Sequence, residues 1–278
     1  VFCLFWIKQN WDIYLTNHYL RLEIESGMAR YFMSLSFKGT RYRGWQVQPN
    51  GLTVQEVLET TLSTFFRRKI SITGAGRTDT GVHASFYTAH FDCDSLPFPP
   101  ADLVEKLNRF LPADIALHRI WQVKDDQHAR FSASKRTYRY FISRVKDPFA
   151  MDTSYACYRP LNVTAMNEAA ALLINFSDFT SFSKLHTDVK TNNCRIFKAF
   201  WREDGNQLVF TISADRFLRN MVRAIVGTLL EVGRGRLTPE GFAEIIRKKD
   251  RCAAGTSAPA QGLFLVAVEY EGAEEPLP

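Results

Sequence analysis

Two kinds of periodicity take turns along this chain, and their order constrains the fold more than any other feature. Residues 31–37 (YFMSLSF) alternate large apolar with smaller side chains, the period of a half-buried strand. A Gly-, Arg- and aromatic-rich loop follows at 38–49. Thr53 and Glu56 then form a capping-box pattern ahead of Val54, Val57, Leu58, Leu62 and Phe65 at helical spacing. Residues 69–73 read as a short strand, 74–81 as a loop, 86–91 as a strand, 101–111 as a helix and 114–123 as a strand. The second half repeats that outline: a strand at 136–144, a helix at 164–176, and a hairpin of 196–201 and 208–213 around Glu203-Asp204-Gly205-Asn206. A long helix from about 216 to 232, a shorter one at 239–248 and a final strand at 263–270 complete it. Two split strand–helix–strand halves predict an α+β protein of two ferredoxin-like (split βαβ) lobes with mainly antiparallel sheet and a cleft between them.

The expected units are an N-terminal α/β lobe at 28–130 and a C-terminal α/β lobe at 131–278. Residues 1–27 show neither period, and Met28 stands just before the first strand pattern, so 1–27 is expected to be an extension outside the domain. The apolar start at 1–7 is short and lacks a basic leading region and a small-residue cleavage site, which makes it a poor signal peptide. No apolar run reaches the ~18 residues of a membrane helix.

Composition narrows the classes further. Hydrophobic residues are 46% and charged residues 23% of 278, which excludes disordered and collagen-like chains. The net charge of +6 permits a polyanionic partner without requiring one. Five scattered cysteines contain no C-x-x-C pair, which argues against a zinc ribbon or a disulfide framework and for a reducing, cytoplasmic setting.

The densest chemical candidate is GAGRTDTGVHA at 74–84. Three glycines within eight residues allow unusual backbone angles and close approach of a partner, with Arg77 and Asp79 two apart just beyond a strand. An isolated Asp-x-Gly reads equally as a plain turn, and no Gly-Lys-Ser/Thr follows to make a phosphate loop. Tyr138 and Tyr140 share one face of a strand while Arg139 takes the other. Such tyrosines read as a core row or as rings that stack on a base. In the long helix Leu218, Met221, Val222, Ile225, Val226, Leu229 and Leu230 form an apolar stripe. Arg216, Arg219, Asn220 and Arg223 share a second face that carries no carboxylate, so it invites phosphate or a carboxylate from elsewhere, with Asp79 a candidate. His83 and His90 lack ligand spacing, and no G-x-S-x-G elbow is present.

These segments also resemble a known family. GRTDTGVHA at 76–84 is similar to the GRTDAGVHA signature of the tRNA pseudouridine synthase A family, with Thr80 in place of the usual alanine. GTRYRGWQVQ at 39–48, HARFSASKRTYRY at 128–140, DFTSF at 178–182, FLRNMVRAIVGTLLEVG at 217–233 and TSAPAQGLFLVAVEY at 256–270 resemble its other motifs in family order. The resemblance implies isomerisation of uridine to pseudouridine at positions 38, 39 and 40 of the tRNA anticodon stem–loop. It implies no cofactor, no essential metal, and a homodimer that binds tRNA across both subunits. By family position, Asp79 would be the catalytic aspartate and nucleophile, Arg223 its ion-pair partner and Tyr138 the ring over the target base. Arg77 would help admit the flipped base, and Leu263 would form an apolar floor. Arg41, Arg43, Arg139, Arg216 and Arg219 are candidates for phosphate contacts.

The chemistry suits such a set. The reaction breaks a bond from sugar to ring nitrogen, turns the uracil and rejoins it through carbon, with no redox change and no added water. One ionised carboxylate beside an oxocarbenium-like centre is enough, whether it attacks the sugar, attacks the base or only assists departure. Keeping that carboxylate charged in a dry pocket requires a cation, and a planar guanidinium serves better than an ammonium. Two rival classes stay open at this point: a non-catalytic RNA-binding module and a base-releasing glycosidase.

Overall fold

A computed structural model describes residues 27–184 and 191–271. The extension expected at 1–27 lies, but for Gly27, outside the described residues. In the first half, β1 (Ala29–Phe37) leads through a single 3₁₀ turn to α1 (Val54–Phe66). The predicted cap is in place, the Thr53 hydroxyl accepting the Glu56 N–H at 3.3 Å. β2 (Thr73–Gly74), β3 (His83–Cys93), α2 (Pro100–Phe110) and β4 (Ile115–Val123) follow. The second half contains β5 (Ala133–Ser143), β6 (Tyr155–Ala156), α3 (Val163–Leu172), the β7 (Ile196–Asp204) and β8 (Gln207–Ala214) hairpin, α4 (Met221–Gly233), α5 (Pro239–Lys248) and β9 (Leu263–Tyr270).

Among the described residues the nine strands form one open sheet in the order β4-β1-β3-β9-β5-β8-β7, with β2 beside β3 and β6 beside β5. Pairing is antiparallel except for β3 with β9 and β5 with β6. The last strand therefore sits between the two halves. Apolar side chains gather into two clusters. One packs α1 and α2 on the sheet through Met33, Leu35, Leu58, Tyr87 and Leu103. The other packs α3, α4 and α5 through Met166, Phe210, Ile225, Leu229 and Phe242. β9 serves both, since Leu263 belongs to the second and Leu265 to the first, and Tyr138 touches both.

Two elements depart from their expected bounds. The strand expected at 69–73 is reduced to Thr73–Gly74. Ile70 and Ile72 are buried as alternation implies, but their N–H groups donate to Ser63 Oγ and Glu59 Oε1 of α1, each at 2.9 Å. Helix side chains thus occupy the ladder positions that a strand would use. The long helix begins at Met221 rather than near 216, because Asn220 adopts a left-handed backbone (φ 66°). Leu218 kept the helical spacing only because it, too, is buried from the preceding turn.

Candidate active site

The loop between β2 and β3 is held from below by aromatic rings. Trp45 stacks on Tyr87 at 4.1 Å, and the Tyr87 hydroxyl donates to the Gly76 carbonyl. The segment after β1 lies directly against this loop. Gly44 makes that possible: its φ is +87°, and a Cβ there would stand 2.3 Å from the Thr78 carbonyl oxygen. Backbone bonds from Trp45 N–H to Thr78 and from Gly81 N–H to Tyr42 stitch the two segments, and Val82 N–H closes a turn on the Asp79 carbonyl. Asp79 is therefore displayed by a loop with little freedom.

Across from it stands the first turn of α4. Arg223 Nη1 donates to Asp79 Oδ2 at 3.2 Å, with both side chains under a quarter exposed. Arg219 Nε lies 3.8 Å from Asp79 Oδ1 and is 56% exposed. Arg223 is itself anchored. Its Nε donates to the Ala258 carbonyl at 2.7 Å, and the Ala258 N–H returns a 2.9 Å bond to the Arg223 carbonyl. Gly227 admits that strap, since a Cβ there would meet the Thr256 carbonyl oxygen at 1.8 Å.

Tyr138 projects from β5 beside the pair, its ring edge-on to Phe217 at 5.1 Å. Burial pushes its phenol up to about 12; the positive charge of Arg136 opposes this and the negative charge of Asp79 adds to it. At neutral pH the hydroxyl thus keeps its proton. Leu263 is buried at the start of β9, opposite Tyr140. Tyr140, on the same face as Tyr138, is a core side chain whose hydroxyl donates to the Pro259 carbonyl at 2.8 Å.

The remaining arginines divide. Arg77 is exposed on the Asp79 loop. Arg219 comes to the site from the turn before α4, and Arg216 lies on the same turn, neither on the helical face expected, because the helix starts only after the left-handed Asn220. The Asp215 carboxylate fixes that turn by accepting the Arg195 and Arg216 N–H groups at 2.8 and 2.7 Å. Arg41 is paired with Asp114 at 2.9 Å, and Arg43 is exposed with its stem over Gly51. Arg139 is exposed and, by strand alternation, projects from the face opposite Tyr138. The anchoring carbonyl of Ala258 had no counterpart in sequence reasoning; the small residue Gly227 inside a helix was its only trace.

This arrangement sets a paired carboxylate near a protonated phenol, with the exposed Arg219 beside the carboxylate. Comparison with known proteins identifies the family. The family described as tRNA pseudouridine synthase matches residues 33–132 and 169–271. The chain belongs to that family. Its members are isomerases of uridine in tRNA. The chain is 57% identical over 244 residues to a protein of Bacteroides fragilis named tRNA pseudouridine synthase A, covering 87% of this chain and 97% of that protein. Proteins of the same name from Porphyromonas gingivalis and Bacillus licheniformis are 54% and 40% identical, over 87% and 86% of this chain and 98% of each of them. Among the described residues no helix is long and apolar enough to cross a membrane.

Proposed function

We propose that this isomerase converts uridine to pseudouridine at positions 38, 39 and 40 of the tRNA anticodon stem–loop, with Asp79 as the catalytic carboxylate. The observation that carries this reading is the 3.2 Å pair of Asp79 with an Arg223 that is itself tethered to Ala258. A carboxylate so held stays aimed while the glycosidic bond from C1′ to N1 breaks, and its charge offsets the positive character that develops at the sugar. The freed uracil turns under the Tyr138 ring, C5 bonds to C1′, the C5 proton leaves and N1 gains one, so the product is an isomer. The proton retained by Tyr138 at neutral pH leaves its hydroxyl a hydrogen-bond donor to the base, beside the stacking of its ring. Leu263 supplies an apolar floor against which the loosened ring is retained.

A uridine in or beside a stem must be flipped out, which costs a few kcal/mol offset by stacking and phosphate contacts. Arg77, on the rim of the Asp79 loop, is suited to admitting it. The exposed guanidiniums of Arg43 and Arg219, with Arg216, are suited to the phosphates, and Arg41 joins them in part because Asp114 shares it. Arg139, on the far sheet face, would meet RNA only outside the pocket. The division into lobes at 28–130 and 131–278, a cytoplasmic homodimer and tRNA held across both subunits belong to the same reading. The test is tritium release from tRNA labelled at C5 of uracil. The parent protein releases tritium and Asp79→Ala does not; release by both, or by neither, overturns the reading.

A further inference from the structure

A guanidinium partly withdrawn from water is ordinarily matched by a carboxylate, because an unpaired charge away from water is costly. Among the described residues the half-buried Arg136 has no such partner. On β5, two residues before Tyr138 and on the same strand face, it donates only to backbone carbonyls. Nη1 reaches Asp215 at 2.8 Å and Ala133 at 3.2 Å, and Nη2 reaches Ala75 at 3.0 Å and Arg130 at 2.6 Å. Burial lowers its pKa, opposed by the neighbouring Tyr138, Tyr270 and Tyr87.

The owners of two of those carbonyls explain the expense. Ala75 lies in the loop that presents Asp79 four residues later, and Asp215 opens the turn that presents Arg216 and Arg219. One flat group therefore spans both loops from the strand that carries Tyr138. Only arginine offers several N–H donors in one plane that diverge to separate acceptors; lysine offers a compact charge on a flexible stem.

We infer that Arg136 is a positioning residue for the isomerisation, a clamp that sets the spacing between the Asp79 loop and the arginine turn, and this rests on the function proposed above. It touches neither Asp79 nor its ion-pair partners; it acts through the backbone that displays them. Displacements of about 1 Å in a reacting constellation cost on the order of 10²-fold in rate.

The experiment compares parent, Arg136→Lys and Asp79→Ala in single-turnover isomerisation of the C5-tritiated tRNA, alongside tRNA affinity and thermal melting. The expected result for Arg136→Lys is a rate about 10²-fold lower, with Kd for tRNA within about threefold of the parent at a temperature where the variant is fully folded. If Arg136→Lys does not fold, Arg136→Gln, whose amide keeps two coplanar donors without the charge, reads the same two constants. A rate equal to the parent's overturns the clamp, as does a loss that vanishes on cooling or one matched by an equal loss of affinity. With the parent active and Asp79→Ala silent, such a result removes the clamp alone; a parent without turnover removes the proposed function and the clamp with it.

Discussion

The first turn of α4 and the turn just before it present arginines to the same carboxylate by opposite means. Arg223 is mostly covered, tied through Nε to the Ala258 carbonyl, and 3.2 Å from Asp79. Arg219 is more than half exposed, 3.8 Å away, on a turn whose carbonyl accepts the Lys184 N–H at 3.2 Å. The covered arginine has given up its freedom for a fixed geometry, and so is suited to holding Asp79 aimed. The exposed one is weakly engaged, and an exposed pair of this kind contributes little to stability. It is free to turn toward a phosphate when RNA arrives. The difference separates a group that serves the bond-breaking step from a group that serves association.

The largest effect that could break this contrast is in Arg223→Lys. An ammonium cannot hold Ala258 and Asp79 together in one planar fork, so kcat is expected to fall on the order of 10²-fold with tRNA affinity little changed. Equal falls in kcat and affinity would erase the distinction. Arg219→Ala is expected to act the other way: weaker tRNA binding, a salt dependence shallower by about one unit of slope, and kcat close to the parent's. Arg43→Ala should resemble it, and Arg41→Ala should do less because Asp114 already holds that side chain.

The smallest effect concerns neither arginine and so sharpens the comparison as a control. His83 is fully buried, accepting the Gly39 N–H at Nδ1 (2.9 Å) and facing the Gln261 carbonyl through Nε2 (3.1 Å). Burial lowers its pKa; the backbones of Asp152 and Gln261 oppose this, and the positive charge of Lys38 adds to it. His90 is lowered to about 4, chiefly by burial, then by Arg30 and His128. In both cases the unfolded chain binds the proton first, so the stability is present above pH ~6.5 and is lost as pH falls through the folded-state values. The melting temperature should decline between pH 6.5 and about 4 to the same extent in the parent, Arg219→Ala and Arg223→Lys, and less steeply in His90→Asn.

Much of this was legible in the amino-acid order. Alternation located β1 and β5, the turn residues at 203–206 located the β7–β8 hairpin, the Thr53–Glu56 cap located α1, and the glycine-rich loop with Asp79 stood out before any geometry. The arginine face without carboxylates invited phosphate or a carboxylate, and the family resemblance singled out Arg223 on it. What escaped depends on contacts distant in sequence. Ile70 and Ile72 alternate like a strand, yet Ser63 and Glu59 of α1 take their N–H groups. Leu218 extends the helical stripe, yet Asn220 turns left-handed between it and α4. Nothing in 263–270 foretold that β9 would pair with both β3 and β5. The tethers on Arg223 and Arg136 end on carbonyls, which every residue has and no side-chain pattern reveals.

Removing charge from the central carboxylate while keeping its shape tests the account most directly. Asp79→Asn retains an oxygen for Arg223 and takes away an anion that repels phosphate. In single turnover it should bind tRNA at least as tightly as the parent and form no pseudouridine. Isomerisation by Asp79→Asn at a rate within about tenfold of the parent's, at which the lost charge would account for less than about 1.4 kcal/mol of the barrier, would contradict it.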